Sequence, residues 1–316
     1  MSVQDASLTS AEIASQPGVW RQAAAAGVSL SQGLPRRGER VAVIGCGTSW
    51  FMAHAYARLR ETGGHGETDA FAASEFPGHR SYDRVLTITR SGTTTEVLEV
   101  LGALKGNVAT CALTADPATP VLHVAGTVTV LDYADEESVV QTRFATSALV
   151  LLRAHLEAEG ALSVGVRPVA DAIADAETAL AEPLGEELTG GGQFTFLGTG
   201  WTYGLALEAA LKMREAAGAW TESYPAMEYR HGPISISGPG RATWVFGPVP
   251  KGLAEDVEHV GGTFVARSGD AAGDIDPLAD LVRAQRLAVL IAQARGMNPD
   301  RPRNLSRSVI LKDDDA

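Results

Sequence analysis

RVAVIGCGTSWFMAHAYARLRE, residues 40–61, is a short β-rich run that breaks at Gly45-Cys46-Gly47 and resumes as an amphipathic helical pattern. The chain uses the same design again at QFTFLGTGWTYGLALEAALKMRE, residues 193–215, where Gly198 and Gly200 match Gly45 and Gly47. Two copies so far apart indicate two similar domains rather than a solenoid.

After the first copy the alternation continues. A helix over 48–61 leads to a turn holding Gly63, Gly64 and Gly66. A strand over 84–89, a helix over 93–105 and strands over 108–113 and 127–131 follow. Short apolar strands alternating with helices predict a parallel sheet covered on both faces. A helical hairpin over 142–159 and 168–184 links to the second copy. There the pattern predicts strand 194–197, helix 202–217, strand 242–246, helix 251–260, strand 263–266 and helix 277–295. The expected division is an N-terminal helical segment over 1–35, a first domain with linking helices over 36–185, and a second domain with the tail over 186–316.

Composition limits the partners. The 316 residues are 45% hydrophobic and 20% charged, as in ordinary globular proteins, and the formal net charge is −12. An acidic surface repels phosphate backbones, so neither nucleic acid nor an anionic membrane is expected as a partner. An anionic small substrate would need a local positive site. Cys46 and Cys111 stand in apolar runs and read as small buried hydrophobes. The histidines show no metal-ligand spacing, so no metal and no cofactor are expected. The first residues lack the basic and apolar regions of a secretory signal, and no apolar run reaches the length of a membrane helix. The expected location is the cytoplasm.

Ligands of open parallel sheets bind beyond the carboxyl ends of the strands. Both Gly-x-Gly turns stand there, but they lack the third glycine of a dinucleotide fingerprint and a following ribose-binding acid. Thr89-Arg90-Ser91-Gly92-Thr93-Thr94-Thr95 is more telling. It puts five hydroxyls, a flexible glycine and a guanidinium between a strand and a helix N-terminus. Such a turn can surround a phosphate dianion, and one or two hydroxyls would suffice for a helix cap. In the second copy Glu208, Lys212 and Glu215 share one helical face among apolar residues, so an acid beside the lysine is a candidate general base. His231-Gly232-Pro233 reads as a loop, where a histidine is free to act on a ligand.

These residues carry a resemblance. CGTS at 46–49, SGTT at 91–94, ALEAALKMREAAGAWTESYPAMEYRHGP at 206–233 and PRNLSRSV at 302–309 resemble the sugar isomerase (SIS) family. The nearest likeness is to the isomerase half of glucosamine-6-phosphate synthase and to related amino-sugar-phosphate isomerases and deaminases. The resemblance spans nearly the whole chain. It implies an α/β protein of two flavodoxin-like, three-layer αβα SIS domains in tandem, and a homodimer with shared active sites. It implies a hexosamine or hexose 6-phosphate as substrate. By position, the family's phosphate-binding groups fall on Ser49, Thr89, Arg90, Ser91 and Thr94. Its sugar contacts fall on Thr48, Val139 and Ser306, with an acidic loop position at Glu136. Glu215 falls on the general base, Lys212 on the lysine near the sugar oxygens, and His231 on the ring-opening histidine that reaches in from the partner subunit.

Three departures shape the expectation. The synthase's glutaminase domain is expected to be absent, because the first residues already open the isomerase-like part. Arg90 stands where the synthase has Gln. Arg307 stands where the synthase has its imine-forming lysine, and a guanidinium stays protonated. Glutamine-dependent amination is therefore not expected. What remains can take the C2 proton of an open-chain sugar phosphate. Reprotonation at C1 gives isomerisation, and a free 2-amino group then leaves as ammonia. An N-acylated amine would favour loss of the 3-hydroxyl instead. The reading is an amino-sugar-6-phosphate isomerase/deaminase. The alternatives are a lyase that dehydrates an N-acetylhexosamine 6-phosphate and a non-catalytic sensor of sugar phosphates.

Overall fold

Each Gly-x-Gly run lies at the carboxyl end of an inner strand of its own parallel sheet. The computed structural model describes residues 7–29, 33–267 and 274–311. It divides into two compact units. One holds Val19–Val166 and the chain from Asn304 onward, and the other holds the residues up to Gly18 and Arg167–Arg303. The units are thus discontinuous, whereas the sequence reading cuts the chain into consecutive stretches at 35 and 185. Helix α1 (Leu8–Ser29) crosses the division at Gly18.

The first sheet is built from β1 (Val41–Gly45), α2 (Thr48–Thr62), β2 (Thr68–Ala72), β3 (Arg84–Ile88), α3 (Thr95–Leu104), β4 (Ala109–Thr114), the short α4 (Val121–Val124) and β5 (Thr127–Val130). Its strand order is β2-β1-β3-β4-β5, all parallel. Every residue of β1 and β3 is buried, as expected in a sheet covered on both faces; β1 (VAVIG) is apolar throughout, and β3 (RVLTI) also buries Arg84 and Thr87. Helix α5 (Arg143–Ala158) packs on α2.

The second sheet follows α6 (Val169–Ala181) and the single turn α7 (Glu186–Thr189). It comprises β6 (Gln193–Gly198), α8 (Thr202–Ala217), β7 (Trp220–Pro225), β8 (Arg241–Phe246), α9 (Leu253–His259) and β9 (Thr263–Ala266), and α10 (Pro277–Ala294) closes the unit. Its order is β7-β6-β8-β9, again parallel. Phe194, Phe196, Trp244 and Phe246 are all fully buried in this sheet. Arg283 of α10 lies 5.0 Å from the Trp244 ring centre, and the indole donates to Asp280 at 2.8 Å. The two helices read as one linking hairpin serve different units. α5 packs on α2, whereas α6 packs on α10.

Two strands, β2 and β7, are absent from the sequence reading. Both are edge strands of half-buried, mixed polarity (TDAFA and WTESYP), so neither shows the apolar run that marks β1 or β6. The two turn glycines have one reason. A Cβ on Gly45 would stand 2.7 Å from the backbone carbon of Ser49, and one on Gly198 would stand 2.3 Å from the carbonyl of Thr202. Each helix starts that close to its strand.

His65 is fully buried between α2 and β2 in sequence, its ring edge-on to that of His155 on α5 with centroids 6.0 Å apart. Burial, reinforced by the charges of Arg60 and Arg37, brings its pKa down to about 4 from the ordinary 6.5. The fold therefore holds the neutral ring, while the unfolded chain takes up a proton near pH 6.5. Stability should fall as pH drops from 6.5 toward 4. Urea midpoints across that range should fall less steeply for His65→Phe than for the parent, and equal slopes would dismiss His65 as the titrating group.

Candidate active site

The connections from β1 and β3 leave toward opposite neighbours, β2 and β4, so the crevice between their carboxyl ends is the switch point of the first sheet. The two sequence-predicted turns meet there. Thr48 and Ser49 open α2 and are buried, with Ser49 Oγ 3.5 Å from Gln141 Oε1. Thr89, Arg90 and Ser91 leave β3, also buried. Ser91 Oγ accepts from the Thr93 amide at 3.3 Å, and Thr93 Oγ1 lies 2.9 Å from it and 3.0 Å from Ser308 Oγ. Gly92 has φ of 62°, and a Cβ there would stand 2.3 Å from Thr119 Oγ1. Only glycine makes this turn. Thr94 stands at the N-cap of α3, yet its side chain makes no cap bond. Helix capping therefore does not account for its hydroxyl.

Arg90 is engaged with the protein itself. Nη1 donates to the Ser138 carbonyl at 3.1 Å, and Nη2 donates to the carbonyls of Val139 and Arg307 at 3.2 Å each. The Glu136 carboxylate lies 3.6 Å away, and Arg90 Nε is buried with no hydrogen-bond partner among the described residues. Glu136 in turn accepts from the Thr142 amide, from Thr142 Oγ1 at 2.7 Å and from the Arg143 amide at 2.8 Å. Its carboxylate is the N-terminal cap of α5. Arg307 donates to the Glu136 carbonyl and to the Asp135 carboxylate. Arg90, Glu136, Val139 and Arg307 thus form one clasp, binding the turn after β3 to the 135–142 loop and to the tail. Ser306 is exposed, its hydroxyl donating to the Ser308 carbonyl at 2.9 Å.

Two residues of this region have no sequence signal. Gln141 faces Ser49, and Thr119 Oγ1 donates to the Ser91 carbonyl at 2.8 Å. Cys46 is only half buried, but burial and the nearby Glu96 carboxylate push its thiol up, away from a nucleophilic thiolate. Cys111 is buried and pushed up to about 12 by that burial. Among the described residues no cluster of His, Cys, Asp or Glu could hold a metal ion, and no helix is long and apolar enough to cross a membrane.

In the second-sheet unit, α8 presents the face that the spacing predicts. Lys212 is buried in the helix, 3.6 Å from Glu208 Oε1 and hydrogen-bonded to Glu215 Oε2. The Glu208 and Lys212 side chains are 1% and 2% exposed, while that of Glu215 is 17% exposed. Glu215 is therefore the member of the triad that a substrate can reach. Its lysine neighbour fixes the carboxylate in place and supplies a positive charge beside it. His231 ends the 3-10 turn Glu228–His231 and is exposed, followed by Gly232 with φ of 136°.

No protein-family model matches the chain. It is 28% identical over 353 aligned residues to a glutamine–fructose-6-phosphate aminotransferase (isomerizing) of Gloeobacter violaceus, an alignment covering 95% of this chain and 58% of that protein. The chain spans little more than half the length of the curated relatives it matches. Among solved structures, the glucosamine-6-phosphate deaminase of Thermotoga maritima matches with a TM-score of 0.80 at 24% identity, over 96% of this chain and 100% of that one. The C-terminal domain of the glucosamine-fructose-6-phosphate aminotransferase of Francisella tularensis matches with a TM-score of 0.75 at 20% identity, over 96% and 100%. By sequence the chain is similar to these aminotransferases over little more than half of their length, and its two parallel αβα units have the fold of these solved structures.

Proposed function

We propose that the chain is an amino-sugar-6-phosphate isomerase/deaminase in which Glu215 removes the C2 proton of an open-chain hexosamine 6-phosphate. The observation that carries this reading is the α8 triad, with Glu215 alone of the three partly exposed beside a buried lysine. The names of the homologous aminotransferase and of the similarly folded deaminase support the substrate class.

In this reading the hydroxyls of Ser49, Thr89, Ser91 and Thr94 bind the phosphate. Arg90 adds its charge and Nε. Thr48, Val139 and Ser306 meet the sugar, with Glu136 and Arg307 holding the wall behind it. The chain pairs with a second copy, and His231 of the partner subunit opens the ring. Glu215 takes the proton from C2 while Lys212 stabilises the oxyanion that develops at C1. The acid of Glu215 exchanges its proton with solvent and then delivers one to C1. The product is a C2 imine, which water hydrolyses to the ketose phosphate and ammonia. Arg307 is paired with Asp135 and offers a guanidinium rather than a lysine amine, so it forms no imine with a ketose. Amination from glutamine has no place in this scheme.

Incubation of hexose and hexosamine 6-phosphates in D2O, followed by NMR, tests the reading. Glucosamine 6-phosphate should release ammonia and give a ketose phosphate deuterated at C1. An olefinic proton arising from N-acetylglucosamine 6-phosphate would make the chain a hydro-lyase. No exchange with any sugar phosphate would remove the enzymatic reading.

Phosphate binding has its own check. Ser91→Ala removes a buried hydroxyl aimed at a dianion, and should weaken sugar-phosphate binding by about 1–3 kcal/mol. Calorimetric titration in a Glu215→Gln background avoids turnover. Unchanged affinity would reduce the 89–94 turn to a structural element.

A further inference from the structure

The second sheet carries a groove on the face turned away from α8. Thr221 of β7 faces α8, since its hydroxyl donates to the Ala210 carbonyl and accepts from Arg214. Side chains alternate along a strand, so Trp220 and Glu222 stand on the opposite face. In the sheet register Trp220 pairs with Gln193 and Gln193 with Arg241. The three residues form a row across the amino ends of β7, β6 and β8, with Trp220 and Arg241 roughly 10 Å apart at two strand spacings. Farther along the same face, Leu197 and Val245 are covered by Tyr229 and by Leu253 and Val257 of α9. That cover stops short of the row. What remains open is a cavity of about 540 Å³, lined by Trp220, Glu222, Gln193, Arg241, Ile236 and Pro239 among others.

The lining is chemically specific. Trp220 is 75% exposed, an unusual position for an indole on a strand. Glu222 Oε2 is buried and has no hydrogen-bond partner among the described residues, a condition that a bound donor would relieve. Tyr224 lies near the carboxylate, and its hydroxyl is pushed up by burial and by that neighbouring charge. Arg241 is exposed at the other side, with Nη1 donating to the Ile236 carbonyl. A cationic donor suits the carboxylate and the indole face together. Hydroxyl oxygens suit the guanidinium, and the apolar face of a ring suits the flat indole. The volume is that of a small-molecule site.

We propose that this groove binds an amino sugar, its ring lying on Trp220, its ammonium donating to Glu222 Oε2 and its hydroxyls accepting from Arg241. The ligand class follows from the groove's own chemistry and holds whatever reaction takes place on α8. Binding of glucosamine to the whole chain, read by saturation-transfer NMR, tests it. Excess glucose 6-phosphate occupies the phosphate turn during the titration. Saturable glucosamine binding should persist under that competitor, fall at least tenfold in Trp220→Ala and in Glu222→Gln, and be at least tenfold weaker for glucose, which lacks the ammonium. Tetramethylammonium should not displace the sugar. Loss of the signal under glucose 6-phosphate would place glucosamine at the phosphate turn and overturn the proposal. Binding retained in Trp220→Ala, equal competition by tetramethylammonium, or no saturable binding to the parent would each overturn it as well.

Discussion

Glu215→Gln should lose C2–H exchange and turnover together by about 10²–10⁴-fold, the effect of a positioned general base. The substitution suits the question because the structure isolates the proton-accepting role. The Gln amide oxygen can still accept from Lys212, so the side chain keeps its place. Lys212 retains Glu208 at 3.6 Å, so no buried ammonium is left without a counter-charge. The fold and the phosphate turn should be undisturbed, and affinity for a sugar phosphate should stay within about threefold of the parent, under 1 kcal/mol. What is lost is an oxygen able to take a proton. Exchange at C2, followed by NMR in D2O, is the decisive readout because isomerisation, deamination and dehydration all begin with it. A variant that exchanges at the parental rate would remove Glu215 from the chemistry and leave the α8 triad as a buried ion-pair network. A variant that loses binding and exchange in equal measure would make Glu215 a substrate contact rather than a base.

How much of this was legible in the sequence depends on the distance over which each feature is decided. The inner strands β1, β3, β6 and β8 are buried on both faces, so their own residues form apolar runs that can be read in isolation. The edge strands β2 and β7 are held by hydrogen bonds to β1 and β6, and their half-polar residues give no such run. The α8 triad was legible because three- and four-residue spacings place side chains on one helical face. The role of Arg90 was not. Its partners lie in loop 138–139 and at Arg307, and only the closed fold brings them together. Glu136 was read as an acidic loop position near the sugar site. That its carboxylate caps α5, six residues downstream, depends on how the loop bends back. The groove beside Trp220 depends on strand register, which no local pattern fixes when one partner is an unrecognised edge strand.

The clasp around Arg90 sets the second large expectation. Glu136→Ala should destabilise the first-sheet unit by about 3–5 kcal/mol, the range for breaking a buried ion pair from one side. Glu136 is 2% exposed and Arg90 4%, so neither charge has water to replace its partner. The deletion leaves the Arg90 guanidinium facing an empty space and strips the first amides of α5, together with the Thr142 hydroxyl, of their acceptor. Glu136→Gln should cost less, about 1–2 kcal/mol, because an amide oxygen can still accept from Thr142 and Arg143 while the charge opposite Arg90 is gone. Arg90→Gln should partly relieve that second loss. With no cation to balance, a neutral residue at position 136 becomes the better match, so the Arg90→Gln/Glu136→Gln pair should be more stable than the sum of its single changes allows. Urea denaturation of the four proteins completes the cycle. Additive effects would show that Arg90 and Glu136 are neighbours without an energetic tie. Coupling in stability, accompanied by weaker sugar-phosphate binding in Glu136→Ala, would show that the charge pair holds the turn after β3 in its binding shape. The Arg at position 90 would then act on the phosphate chiefly through the backbone it anchors.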